Sequence, residues 1–285
     1  MGLKPVTESL QVEIVTDDLR NSLWNILYDI YFQHFWFLLT SSQEDLNKNP
    51  GYTLCKSLWL DHFKYPIDEF RSLGFSGNVT TQIKRYFLNC PWNEVYDFIE
   101  FTAENTHDLE IRQCFIDSCN KIFERENSAY RFINDIIVSI IDTNEVNEIE
   151  NAFNILPEVD SHLSTALDLF ANRESPDYRN SIKESISAVE AMCRVISKDK
   201  NATLGDALKL IEKQGKIEMG TPLKAAFLKL YGWSSSSEGI RHALQDQPNL
   251  TLEEARFMLI TCSAFINYLK GKCVKAGVSL SQKGD

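Results

Sequence analysis

With 285 residues, 44% of them hydrophobic, and a net charge of −11, the chain is long enough for about two domains and apolar enough to bury a sizeable core, which excludes a disordered polyelectrolyte. No run approaches the roughly 20 apolar residues that cross a bilayer, and Met1–Gln11 lacks the basic and then apolar pattern of a secretory leader, so a soluble, cytoplasmic protein with no membrane partner is expected. The seven cysteines include no C-x-x-C pair, and Cys114 and Cys119 have only His107 near them in sequence; they read as reduced, mostly buried small hydrophobes, and neither a metal nor a cofactor is expected.

The charge is unevenly spread. Residues 1–172 hold 12 Lys and Arg against 27 Asp and Glu, a net −15, whereas residues 173–285 hold 17 against 13, a net +4. A polyanionic partner is therefore expected to meet the second part.

In chain order, Asp17 and Asp18 precede apolar positions at Leu19, Leu23, Ile26, Leu27 and Ile30, the pattern of an amphipathic helix with acids at its positive end. It is expected to continue through Phe32 towards Leu39, with His34 as a core histidine. Ser41–Gly51 reads as a loop closed by Asn-Pro-Gly. Helical patterns follow at about Leu54–Phe63, Thr80–Leu88, Trp92–Thr102 and Asp108–Glu126. Residues 129–141 are rich in β-branched and aromatic side chains around Asn134-Asp135, which predicts a β-hairpin. A domain boundary is placed after it, near Asp142.

Helices are expected next over Asn144–Asn154 and Asp160–Ala171, and then over Tyr178–Ile196, where Tyr178, Ile182, Ile186, Val189, Met192, Cys193 and Ile196 form one apolar stripe. The opposite face carries Asn180, Glu184, Ser187 and Ala191, and Glu190 is spaced to pair with Arg194. Thr203 caps a helix to Lys213, Pro222–Tyr231 holds another, and Thr251 with Glu254 has capping-box spacing before a helix to about Lys270. The fold class is mainly α: an N-terminal helical domain, residues 1–142, ending in a short β-hairpin, then a helical bundle over 143–277 and a disordered tail over 278–285. Neither an internal repeat nor a glycine-rich nucleotide loop is present in the sequence.

Chemistry concentrates in the stretch from Tyr231 to Leu244. Ser235 and Glu238 have capping-box spacing, so a helix is expected to begin there, with N–H groups and Ser235, Ser236 and Ser237 available to an anion. Arg241 adds a forked cation suited to phosphate, and His242 a group that exchanges protons near neutrality.

Two stretches carry a resemblance. Leu3-Lys-Pro-Val6, Leu10-Gln-Val-Glu13 and Leu19-Arg-Asn-Ser-Leu-Trp-Asn25 resemble the fourth class of AbiJ N-terminal domain, found in bacterial abortive-infection proteins. Tyr178-Arg-Asn-Ser-Ile-Lys-Glu184, Ala188-Val-Glu190 and Gly239-Ile-Arg-His-Ala243 resemble the helical domain that follows it, which is similar to the HEPN superfamily. That resemblance implies a HEPN-like helical bundle that dimerises and acts as a metal-independent RNase in phage defence. It also implies an arginine, a polar neighbour and a histidine four to six positions on. Arg179 and Asn180 fit its start, but Glu184 stands where the histidine is expected. Arg241 and His242 are adjacent, about 100° apart on a helix, so one chain does not easily aim both at the same phosphate, and a two-fold dimer could bring a second pair into the cleft.

Two functions of different classes are consistent with these residues. One is an anti-phage effector that cleaves RNA, with His242 and Arg241 catalytic and Ser235, Ser236, Ser237, Arg179, Asn180 and Glu184 binding or orienting the substrate. The other is a non-catalytic dimerisation, sensor or interaction protein. RNA, a second copy of the chain, and a phage trigger or neutralising protein are the expected partners.

Overall fold

Thr16 opens the first helix. Its hydroxyl accepts the Leu19 N–H at 3.3 Å, and Asp17 and Asp18 occupy the first turn of α1, Asp17–Leu27, where the helix dipole favours them. The computed structural model describes residues 10–33, 49–72, 78–140, 142–215, 217–235 and 250–280. They are mainly helical, with one small antiparallel hairpin. The chain divides into two compact units, residues 1–141 and 142–285.

In the first unit α1 widens into a π turn over Tyr28–Phe32. Asn49 caps α2, Pro50–Ser57, by accepting the Tyr52 N–H at 3.0 Å, with Pro50 at the first helical position, where its missing N–H costs nothing. The single helix expected over Leu54–Phe63 is instead the end of α2 followed by a second π turn, Leu58–His62. Four helices follow: α3 (Ile67–Ser72), α4 (Asn78–Asn89), α5 (Trp92–Glu104) and α6 (Leu109–Arg125). Asp108 caps α6 through the N–H groups of Glu110 and Ile111. These helices close over Leu19, Leu23, Leu27, Trp59, Phe87, Phe98, Phe115 and Phe123, all buried. His34 and the run to Leu39 lie outside the described residues.

The hairpin is β1 (Arg131–Ile133) and β2 (Ile136–Val138), in register Arg131 with Val138, Phe132 with Ile137, and Ile133 with Ile136. Asn134 and Asp135 have φ of 47° and 71°, the two left-handed residues that a tight hairpin turn needs and that Asn and Asp tolerate best. Asn120 fixes it to α6: its amide donates to the Phe132 carbonyl and accepts the Phe132 N–H.

The second unit holds α7 (Thr143–Asn151), α8 (Pro157–Ala171), α9 (Tyr178–Ser197), α10 (Leu204–Lys213), α11 (Thr221–Ser235) and α12 (Leu252–Ala276). The central member is α9, which packs on α8, α10 and α12, while α7 lies on α12. Ile182, Ile186, Val189, Met192, Cys193 and Ile196 are buried, and so are Ala188 and Ala191. A helix covered on several sides cannot keep one polar face, and its small side chains admit neighbours closely. Ser181, fully buried, donates to the Ala166 carbonyl at 2.8 Å, and Ser185 to the Ser181 carbonyl at 2.9 Å. Thr203 caps α10 and Thr251 with Glu254 forms the capping box of α12.

Two helices outrun their expected ends. The helix expected to end at Tyr231 runs on to Ser235 as α11, since extending a formed helix by a residue costs little; the helix expected to begin at Ser235 with Glu238 lies outside the described residues. The last helix reaches Ala276, where Gly277, at φ 64°, turns the chain and the Val278 N–H closes on the Cys273 carbonyl at 2.9 Å. Of the expected tail, residues 281–285 lie outside the described residues.

Candidate functional site

Several polar side chains meet at the first turns of α9. Asp177 caps this helix: its Oδ1 accepts the Asn180 N–H at 3.0 Å, and its Oδ2 accepts the Asn180 side-chain amide at 2.6 Å. The helix end thus already holds a carboxylate, and Asn180, expected to bind substrate, spends an amide hydrogen on its own cap.

One turn further, Glu184 meets a histidine from the neighbouring helix. Its Oε2 lies 2.7 Å from Nδ1 of His162 on α8, and its Oε1 is 3.8 Å from the Lys183 ammonium. The Glu184 side chain is 18% exposed and the His162 side chain 37%, so the carboxylate is the buried partner and the imidazole the outer one. With Nδ1 held by a carboxylate, the ring is fixed in orientation and Nε2 is the nitrogen turned away from Glu184. Arg179 and Lys183, four apart, form a cationic row beside Asn180 and Glu184.

Helix pairing brings these residues together. The chain folds back between α8 and α9 so that Leu169 accepts from Asp177 N–H at 2.9 Å, Ala166 from Ser181, and His162 reaches Glu184, three contacts disposed almost symmetrically about Arg173. His162 was not singled out in the sequence. It lies 22 positions from Glu184, and only the antiparallel register of two helices connects them.

The buried end of α9 is structural. Glu190, 7% exposed, accepts from Arg194 at 3.3 Å, the spacing read in the sequence, and Arg194 also donates to the Ala202 carbonyl at 3.0 Å. Burial, and after it the charge of Glu253, raises the Tyr178 phenol above its ordinary range, which puts Tyr178 within electrostatic reach of the first turn of α12.

Of the remaining sequence candidates, Ser236, Ser237, Arg241 and His242 lie outside the described residues; the chain that carries them leaves α11 at Ser235 and is described again from Leu250. No group of three or more metal-ligating side chains occurs among the described residues, and none of their helices is long and apolar enough to cross a membrane.

Residues 1–154 match the family model described as AbiJ N-terminal domain 4. No curated protein and no solved structure matches the chain.

Proposed function

The chain belongs to the AbiJ N-terminal domain 4 family, which suggests an abortive-infection role, and on that premise we propose that its second unit is a HEPN-like, metal-independent endoribonuclease. The observation that carries the reading is the His162–Glu184 pair at 2.7 Å, beside the cations Arg179 and Lys183 on the first turns of the central helix. In the proposed reaction the RNA 2′-hydroxyl attacks the adjacent phosphorus and the 5′ oxygen leaves, giving a 2′,3′-cyclic phosphate and a 5′-hydroxyl. One imidazole takes the 2′-hydroxyl proton and another protonates the leaving oxygen; His162 and His242 are the candidates for these two transfers. Arg241, with Arg179, offsets the charge that builds on the phosphoryl oxygens. Glu184 is a positioning residue that holds His162. A homodimer through the second unit would supply a second set of these groups to one cleft.

A second reading, a non-catalytic HEPN-like dimerisation or sensor module, draws support from the Asn180 amide and the Glu184 carboxylate, both engaged by partners within the unit. One experiment separates the two. Wild type, His162→Ala and His242→Ala are expressed, with and without phage infection, while growth and RNA 3′ ends are followed. The nuclease reading expects growth arrest with cyclic-phosphate ends in wild type and their loss in the variants. Intact RNA and equal growth in all three, infected or not, would leave the interaction module standing.

A further inference from the structure

A cleft of about 510 Å³ opens in the first unit between the segment after the second π turn and one face of α4, a volume within the range of small-ligand sites, roughly 300–1,000 Å³. Its wall on one side is aromatic. Phe63 and Tyr65 stack with centroids 5.5 Å apart and planes 28° apart, Trp59 meets Tyr65 edge-on at 5.1 Å, and Tyr86 meets Phe63 edge-on at 4.6 Å. The wall is rigidly built: the Trp59 indole donates to the Pro66 carbonyl at 2.9 Å, and the Tyr65 N–H closes on the Trp59 carbonyl at 2.9 Å across Lys64, whose φ of 58° is left-handed. Tyr65 nevertheless stays 47% exposed while its neighbour Trp59 is buried, an aromatic face left open to solvent.

The facing side is polar and regularly spaced. Gln82, Arg85, Tyr86 and Asn89 recur along α4 at helical intervals on the cleft side, over a length of about 10 Å. The Arg85 guanidinium has no carboxylate in ion-pair range among the described residues, and the Gln82 amide likewise makes no hydrogen bond among them. Asn89 donates one amide hydrogen to the Arg85 carbonyl at 2.6 Å, which leaves its Oδ1 able to accept. Tyr86 gives its hydroxyl hydrogen to Glu94 at 2.6 Å and keeps an acceptor lone pair.

We propose that this cleft binds a free nucleotide, its base stacked on the Phe63–Tyr65 wall, its edge read by the Gln82 and Asn89 amides, and its phosphate held by Arg85. Each group suits one part of such a ligand: aromatic faces stack on any base, amides offer both donor and acceptor, and guanidinium forks onto phosphate. The same chemistry would fit the end of an RNA strand, but the net −15 over residues 1–172 and Glu94 at the Tyr86 hydroxyl oppose a polyanion, so a ligand with one or a few charges is favoured. The site lies in the other unit from the proposed nuclease groups and stands or falls without them.

The test is isothermal titration of the full chain with AMP, GMP, CMP and UMP, with adenosine, and with an eight-nucleotide RNA. Saturable binding of at least one monophosphate is expected, weakened about tenfold or more by Arg85→Ala and by Tyr65→Ala, two substitutions at exposed positions that leave the core intact. Adenosine should bind more weakly than AMP by a similar factor. Absence of binding by all four monophosphates would overturn the proposal, as would binding indifferent to both substitutions. An RNA oligomer held more tightly than every monophosphate, and lost in the same variants, would reassign the cleft to a strand end and also overturn it.

Discussion

The guanidinium of Arg20 sits on the backbone carbonyl of Cys90 at 2.9 Å, and its other terminal nitrogen on the Phe87 carbonyl at 2.6 Å. Arg20 belongs to α1 and is 9% exposed, so a permanently charged side chain from one helix closes the carbonyl end of another, α4, where the dipole favours a cation.

Removing that cap should loosen the first unit. Arg20→Ala leaves two carbonyls and a buried space without a partner, with an expected cost of about 2–4 kcal/mol, and Arg20→Lys should recover only part because one ammonium cannot reproduce the fork. Urea unfolding followed by tryptophan fluorescence measures it. A midpoint unchanged in Arg20→Ala would show that the contact contributes no net stability.

Stability and activity should separate at the His162–Glu184 pair. Both groups are partly exposed, so Glu184→Gln should cost less than about 1 kcal/mol of unfolding free energy. RNA cleavage should fall far more, about 100-fold or beyond, if the carboxylate orients a proton-transferring ring. Parallel measurement of the melting temperature and of cyclic-phosphate product checks this, and a loss of activity no greater than the loss of folded protein would make the pair structural.

Acid should weaken the first unit through His62. Its ring packs against Phe63, Phe98, Phe101 and Tyr86, with centroids 5.1 to 6.1 Å away. Burial lowers its pKa below 6.5, against the raising effect of Asp97 and Glu94. A depressed histidine means that the unfolded chain takes up the proton first, so its contribution is complete above about pH 6.5 and is lost as the pH falls from there towards the folded-state value. The denaturation midpoint of wild type should therefore drop between pH 7.5 and 5.5 by more than that of His62→Gln. Equal drops would assign the acid sensitivity to other groups.

Assembly is expected to run through the second unit. Phe257 is 55% exposed on α12, and Leu223 and Trp233 are 40% and 42% exposed on α11, large apolar side chains left open to solvent. Light scattering should give the mass of two chains, and Phe257→Glu that of one. A wild-type protein with the mass of one chain at micromolar concentration would remove both the dimer and a catalytic cleft shared between copies.

What could be read from the sequence was local. Asn134-Asp135 announced the hairpin because a two-residue left-handed turn admits few side chains, and Thr203, Thr251 and the Glu190–Arg194 pair were legible because caps and i,i+4 pairs depend on neighbours within one turn. The π turns were not legible, since one extra residue per turn leaves the apolar spacing of Leu54–Phe63 looking helical. Nor was the partner of Glu184, because a histidine 22 positions away is brought there only by the register of α8 on α9. The polar surface of α4 went unread for a related reason: Gln82, Arg85 and Asn89 look like an ordinary solvated face until the aromatic wall opposite them is known.

The two π turns bear on what kinds of change the gene can absorb. Each inserts one residue into an otherwise α-helical path and so turns everything after it by about 100°. Beyond Leu58–His62 that rotation aims Phe63 and Tyr65 at α4, and just before it Gly51 presses so closely on the first π turn that an added Cβ would stand 2.1 Å from the Tyr31 carbonyl oxygen. Exchanging one side chain for another along this helix alters contacts one at a time, but losing a single codon from the Leu58–His62 turn would swing the aromatic wall of Phe63 and Tyr65 to the wrong side, so descendants of this sequence should drift in composition there while its length stays fixed.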